Sequence, residues 1–122
     1  MNLVVDATQE MSCPNGVSLM KNGHLLIGEF FFGNILEANN GKLKIIASGY
    51  RGADGVEQDS KGALYVSSWT QGKLWKMNKD GSGAEVLIEG LQSAADFYLD
   101  EKAHQIWLPD MLAGTVTVLP LN

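Results

Sequence analysis

Three oxygen-bearing side chains recur at one position of this sequence: Asn15, Asp54 and Asp96. Each stands just ahead of a short apolar run, where a strand would begin. A carboxamide and two carboxylates brought together would offer hard oxygen donors, the set that suits Ca²⁺ or Mg²⁺. A cation held there could polarise a carbonyl or lower the pKa of a water. Two of the three also have a plainer role open to them. Asn15-Gly16 and Asp54-Gly55 are dipeptides that favour tight turns. Asp96 is followed by Phe97, so turn chemistry accounts for it less well.

A second set of candidates lies in three matching segments: Glu29-Phe30-Phe31-Phe32-Gly33, Ser68-Trp69-Thr70-Gln71-Gly72 and Pro109-Asp110-Met111-Leu112-Ala113-Gly114. Phe31, Trp69 and Met111 could line an apolar cup that contacts a substrate, or they could pack between neighbouring layers, as aromatic residues usually do. Glu29 and Asp110 occupy equivalent places and could add an acidic contact, or stand as solvated rim carboxylates. His24 and His104 fall in hairpins at the other end of the strands. No Gly-x-Ser-x-Gly elbow, His-Glu-x-x-His pair or phosphate-cradling glycine loop with lysine is present. Lys73, Lys76 and Lys79 alternate with Leu74, Trp75 and Met77, the pattern of a half-exposed strand.

The elements that would hold these residues are strands. Fourteen glycines against three prolines punctuate the chain, many in the pairs Asn15-Gly16, Asn22-Gly23, Asn40-Gly41, Asp54-Gly55 and Asp80-Gly81. Such pairs between short apolar runs read as hairpin turns, and no stretch keeps an apolar period long enough for a helix. The chain also repeats. Asn15-Gly16-Val17, Gly23, Leu25, Ile27 and Gly33 return 39 residues later as Asp54-Gly55-Val56, Gly62, Leu64, Val66 and Gly72. A weaker third copy follows after 42 more, with Asp96, Ile106, Leu108 and Gly114. A period near 40 with about four short strands per unit marks a β-propeller blade.

The reading is therefore all-β, with three four-stranded blades per chain. The first unit gives strands at Gly16–Met20, His24–Glu29, Asn34–Ala38 and Lys42–Ala47, the second at Gly55–Asp59, Ala63–Ser68, Lys73–Asn78 and Glu85–Glu89. The third gives Asp96–Asp100, Gln105–Leu108 and Thr115–Leu119, without an outer strand. Asn2–Asp6 resembles the outer strands Lys44-Ile45-Ile46 and Glu85–Glu89, and stands a similar distance before the next motif. Blades are thus expected at residues 14–50, 51–91 and 92–122, with 1–13 completing the last blade in trans. Three blades fall short of the four to eight that close a ring. A homodimer forming one six-bladed ring by exchange of N-terminal strands is expected.

Charge and composition narrow the function. Lys and Arg number 9 against 14 Asp and Glu, for a net charge of −5, which argues against a nucleic-acid face and against docking on anionic lipid. No apolar run approaches a membrane span. The opening Met-Asn-Leu-Val-Val-Asp has no basic segment followed by a long apolar core. No secretory signal is expected, and the default compartment is the cytoplasm. The single cysteine, Cys13, cannot form a disulfide within the chain.

Pro14-Asn15-Gly16-Val17, Ala53-Asp54-Gly55-Val56 and the following Gly62-x-Leu64-Tyr65-Val66 resemble the gluconolactonase and senescence-marker-protein family of six-bladed propellers. More distant resemblance extends to paraoxonase-like and NHL-repeat propellers. The resemblance covers nearly the whole chain and half of a complete propeller. It implies one divalent cation, calcium or zinc, at the mouth of the central channel, held by Asn15 and Asp54 with Asp96 in the equivalent third place. It also implies an Asp as general base, which makes Asp54 and Asp96 the catalytic candidates. The family's Glu-Gly-Pro motif has no match here. Two functions follow as expectations. One is a metal-dependent hydrolase of a lactone or related ester, most consistent with Ca²⁺. The other is a non-catalytic propeller that binds a small molecule or protein partner through its aromatic-rimmed face.

Overall fold

Alternating apolar residues and hairpin turns produce an antiparallel all-β structure. The computed structural model describes residues 1–121, so Asn122, the end of the third unit, lies outside the described residues. Among the described residues, eleven strands form three sheets. The first holds β1 (Pro14–Leu19), β2 (Leu25–Glu29), β3 (Ile35–Asn39) and β4 (Lys42–Ala47) in sequential order. The second holds β5 (Ala53–Gln58), β6 (Leu64–Ser68), β7 (Lys73–Met77) and β8 (Glu85–Ile88). The third has β9 (Tyr98–Asp100), β10 (Gln105–Asp110) and β11 (Thr115–Pro120). These are blades of a β-propeller, and the chain is a partial propeller.

Side-chain alternation along each strand assigns every blade two apolar faces, and burial follows. Leu26 and Ile35 of the first blade meet Val56, Leu64, Val66, Trp75 and Met77 of the second. Tyr65 and Leu74 leave the second blade's other face and meet Phe97, Ile106 and Leu108 of the third. Each of these nonpolar side chains stabilises the stack by roughly 1.5–3 kcal/mol when fully buried. Tyr50 adds an edge-to-face contact on Trp75, with centroids 4.9 Å apart.

The turns sort the glycine pairs into two kinds. Asn40-Gly41 joins β3 to β4 with both residues left-handed, φ 51° and 77°, the geometry a two-residue hairpin needs. Gly23 and Gly81 likewise lie at positive φ in hairpins. Asn15-Gly16 and Asp54-Gly55 do not form turns. Both lie inside innermost strands, and neither glycine has positive φ. Steric approach selects them instead. A Cβ on Gly16 would overlap the Asp54 carbonyl of the next blade, and one on Gly55 would lie 2.8 Å from both Asp96 Oδ1 and Phe97 Cδ1.

Asn2–Asp6 forms no strand within the chain. A strand needs a neighbouring edge to exchange hydrogen bonds with, and among the described residues this segment pairs with none of the three sheets. It follows the outer side of the first blade, where Val5 and Met11 pack on Ile27, Leu36 and Ala38.

Candidate functional site

Each innermost strand carries one extra residue at the same point. In β1 the step from Pro14 to Val17 faces the shorter step from Glu29 to Ile27, and in β5 the step from Ala53 to Val56 faces that from Ser68 to Val66. The third blade does the same ahead of β9: a bridge joins Ala94 to Asp110, and the next pairing joins Tyr98 to Trp107. These are β-bulges, which re-aim side chains out of the pleat. Asn15, Asp54 and Asp96 are the polar residues within the three bulges. The repeat therefore places all three at the same end of adjacent innermost strands.

Hydrogen bonds fix their spacing. The Asn15 amide nitrogen donates to the Ala53 carbonyl at 3.3 Å, tying the first bulge to the second and leaving the amide oxygen as an acceptor. Ser67 does the same one blade on. Its hydroxyl accepts from the Gly55 N–H at 2.9 Å and donates to the Ala95 carbonyl at 2.7 Å. Ser67 is buried and holds the Asp54 bulge against the Asp96 bulge.

Burial, and then the charge of Asp96, holds the Asp54 carboxyl above its ordinary range. Glu57, further along β5, is raised by the same two causes in the same order. Glu57 is the residue that sequence reasoning missed. Its only signal was its place three residues after Asp54 on an innermost strand, and its proximity to Asp96 exists only across the blade seam. Among the described residues, no three His, Cys, Asp or Glu side chains gather in a metal-ligating arrangement. A cation here would rest on the Asp54 and Asp96 carboxylates, the Asn15 amide oxygen and water. That donor set is hard, and its mutually repelling carboxylates fit a divalent ion.

The rim carboxylates are of another kind. Glu29 is buried, and its carboxylate accepts from the Ser12 hydroxyl and the N–H groups of Cys13, Phe31, Phe32 and Gly33, at 2.6–3.2 Å. Asp110 is buried at the equivalent place and accepts from the N–H groups of Gln92, Ser93 and Ala113 and from the Ser93 hydroxyl. Burial alone would raise the Asp110 carboxyl, but these donors outweigh it and hold it below its ordinary value. Ser68 fills the same role in the second blade, accepting from the Gln71 N–H and donating to the Arg51 carbonyl. All three pin the linker entering an innermost strand to the rim loop beside it. Glu29 and Asp110 were expected to face a substrate or the solvent; the structure encloses both and uses their oxygens on loop N–H groups.

The rim's apolar residues stand outside this frame. Phe31 and Phe32 are exposed and packed edge to face at 5.0 Å, Met111 and Leu112 are exposed, and Trp69 is half-buried. They do not fill the seams between blades. On the opposite face, a groove of about 490 Å³ lined by Asp59, Tyr65, Lys76, Glu101 and His104 lies away from Asp54. His24 there pairs with Glu37.

No protein-family model and no curated protein matches the chain. Solved structures do. A chain of a nidogen/laminin complex superposes with a TM-score of 0.71 at 17% identity, over 93% of this chain and 51% of that one. A gluconolactonase from Xanthomonas campestris gives 0.73 at 21% identity, over 92% and 39%. Virginiamycin B lyase from Staphylococcus aureus gives 0.68 at 13%, over 88% and 41%. These likenesses establish the propeller fold. The chain spans about half the length of such structures, or less.

Proposed function

We propose that this chain supplies half of a propeller-mouth site that hydrolyses a small lactone or related ester. The observation that carries the reading is the repetition of one bulge in three adjacent innermost strands, each displaying Asn15, Asp54 or Asp96. A repeated distortion that sets a polar side chain at the same end of three neighbouring strands is costly for a sheet that needs only to pack. The likeness to a gluconolactonase supports the same reading at the level of fold.

Asp54 is the proton acceptor in this scheme. Asp96 stands beside it, and without a cation burial and that neighbouring charge hold the Asp54 carboxyl above its ordinary value. Asn15, Asp54 and Asp96 would hold a divalent cation, most consistent with Ca²⁺, which supplies Lewis-acid polarisation of a carbonyl when bound. Ser67 and the Asn15 amide position the bulges. Phe31, Trp69 and Met111 offer apolar surface to the part of the substrate that does not react. Calorimetry with Ca²⁺, Mg²⁺, Mn²⁺ and Zn²⁺, paired with a pH-indicator assay on aliphatic lactones and aryl esters, tests the scheme. Cation-dependent turnover that Asp54→Asn abolishes supports it. No cation bound tighter than millimolar, or turnover unchanged in Asp54→Asn, overturns it.

One observation favours a non-catalytic second reading. No three acidic or imidazole side chains converge among the described residues, while the rim presents exposed Phe31, Phe32, Met111 and Leu112. That surface suits capture of an apolar ligand or partner. Binding of lactones without turnover selects this reading.

A further inference from the structure

Both ends of the blade stack present exposed apolar residues. Tyr65 and Leu74 point from the second blade toward the third and are 0% exposed. The repeat puts Trp107 and Val116 at those positions one blade later, where they are 41% and 64% exposed. Register sets Tyr98 and Val118 beside Trp107, so the free face of the third blade is a continuous apolar strip. At the other end, Val17 holds the place that Val56 holds in the second blade, and is 58% exposed where Val56 is 2%. Leu19 and Ile45 are exposed beside it. Contiguous apolar surface of this breadth marks an interface.

The N-terminal segment identifies the occupant. Ile46 and Ala47, from outer strand β4, pack into the seam with the second blade, and Leu87 and Ile88, at β8, pack into the seam with the third. Val5 packs on the first blade's Ile27, Leu36 and Ala38 in the same manner. Its spacing agrees: Ile46 precedes Asp54 by 8 residues, Ile88 precedes Asp96 by 8, and Val5 precedes Asn15 by 10. The segment therefore holds the place of an outer strand of a blade whose inner three strands are not among the described residues. The third blade is the converse, three strands with the far side of β11 unpaired among the described residues. The two are complementary pieces of one blade.

We propose that a second copy of this chain docks the Tyr98, Trp107, Val116 and Val118 face of its third blade onto the Val17, Leu19 and Ile45 face of the first, at two symmetric seams. Asn2–Asp6 of each chain pairs along the open edge of the partner's β11 by strand addition. The added ladder removes the exposed edge that an isolated chain would present. Two copies of three blades give six, within the range that closes a ring. Closure also places both sets of Asn15, Asp54 and Asp96 around one channel, so the mouth is complete only in the pair.

Sedimentation velocity of the chain at micromolar concentration, with amide hydrogen exchange on the same sample, tests the assembly. The expected mass is twice 13.2 kDa, with Thr115–Leu119 amides protected. Trp107→Lys changes an exposed residue, so circular dichroism should report an unchanged fold while association weakens on the order of a hundredfold. Val5→Asp should weaken association and release the β11 amides together. A folded monomer, an open-ended ladder of larger masses, or a dimer whose β11 amides exchange freely overturns the proposal. None of these readouts involves catalysis, so they stand or fall apart from the hydrolytic reading.

Discussion

The rim carboxylates of this fold and the carboxylates at its innermost strands behave oppositely. Glu29 and Asp110 on the rim are enclosed and saturated by N–H and O–H donors. Asp54 and Glu57 on an innermost strand, and Asp96 just ahead of one, have no such donors among the described residues, and Asp54 and Glu57 are pushed toward the protonated form by burial and by Asp96. Rim charges stabilise the fold, because donors replace the water that burial removed. Inner charges are a standing cost to the fold, the arrangement usual for groups kept for chemistry or ligand binding. Carboxylate identity alone does not separate the two; the supply of backbone donors does.

The sharpest way to break the contrast is Asp54→Asn. On the proposed reaction it should reduce turnover by about a thousandfold, roughly 4 kcal/mol in barrier, the scale of losing a general base. Its melting temperature should stay level or rise, because the substitution removes a repelled charge. A fall in both would assign Asp54 to the frame. Glu29→Ala should do the reverse, leaving several N–H groups without an acceptor and costing roughly 3 kcal/mol in denaturant unfolding. Asp110→Ala should act in the same direction. Little loss at either position would mean that water replaces the carboxylate.

Gly16→Ala probes the seam that carries the bulges. The added methyl meets the Asp54 carbonyl, so a loss of about 2 kcal/mol is expected, read by chemical denaturation. The gentlest test is pH. Asp54 and Glu57 are raised, so their share of stability is present at low pH and is lost as pH rises through their folded pKa values. Asp110 is lowered by its donors and Glu37 chiefly by its hydrogen bond to His24, so their share is lost as pH falls through their folded values. The melting temperature should peak on the acid side of neutrality, and Asp54→Asn should flatten the neutral-side decline. A melting temperature that falls steadily from neutrality into acid would contradict the raised pair.

Much of the fold was legible in the chain. The 39- and 42-residue spacings between Asn15, Asp54 and Asp96 located the blades, and strand bounds such as Lys42–Ala47 agree with the structure. Turn chemistry was read correctly at Asn22-Gly23, Asn40-Gly41 and Asp80-Gly81 because a hairpin's demand for positive φ is local. The same dipeptide logic failed at Asn15-Gly16 and Asp54-Gly55, where the demand comes from the next blade. Equivalence of Glu29 and Asp110 was visible from spacing, yet their donors arrive from Ser12, Cys13, Gln92 and Ser93 on the preceding linkers.

What the sequence determined by itself is what short-range physics controls: alternation, hairpin turns, and the repeat that sets one polar residue at the entrance of each innermost strand. Only the tertiary structure decided what those residues meet. Burial, donor supply and like-charge proximity depend on which blade is stacked against which. Glu57 lies three residues from Asp54 in the chain, but the charge that marks it is Asp96, 39 residues away on another blade. Tyr65 and Trp107 show the same thing for apolar residues. They hold one place in the repeat, and a neighbouring blade makes one of them core while its absence leaves the other surface.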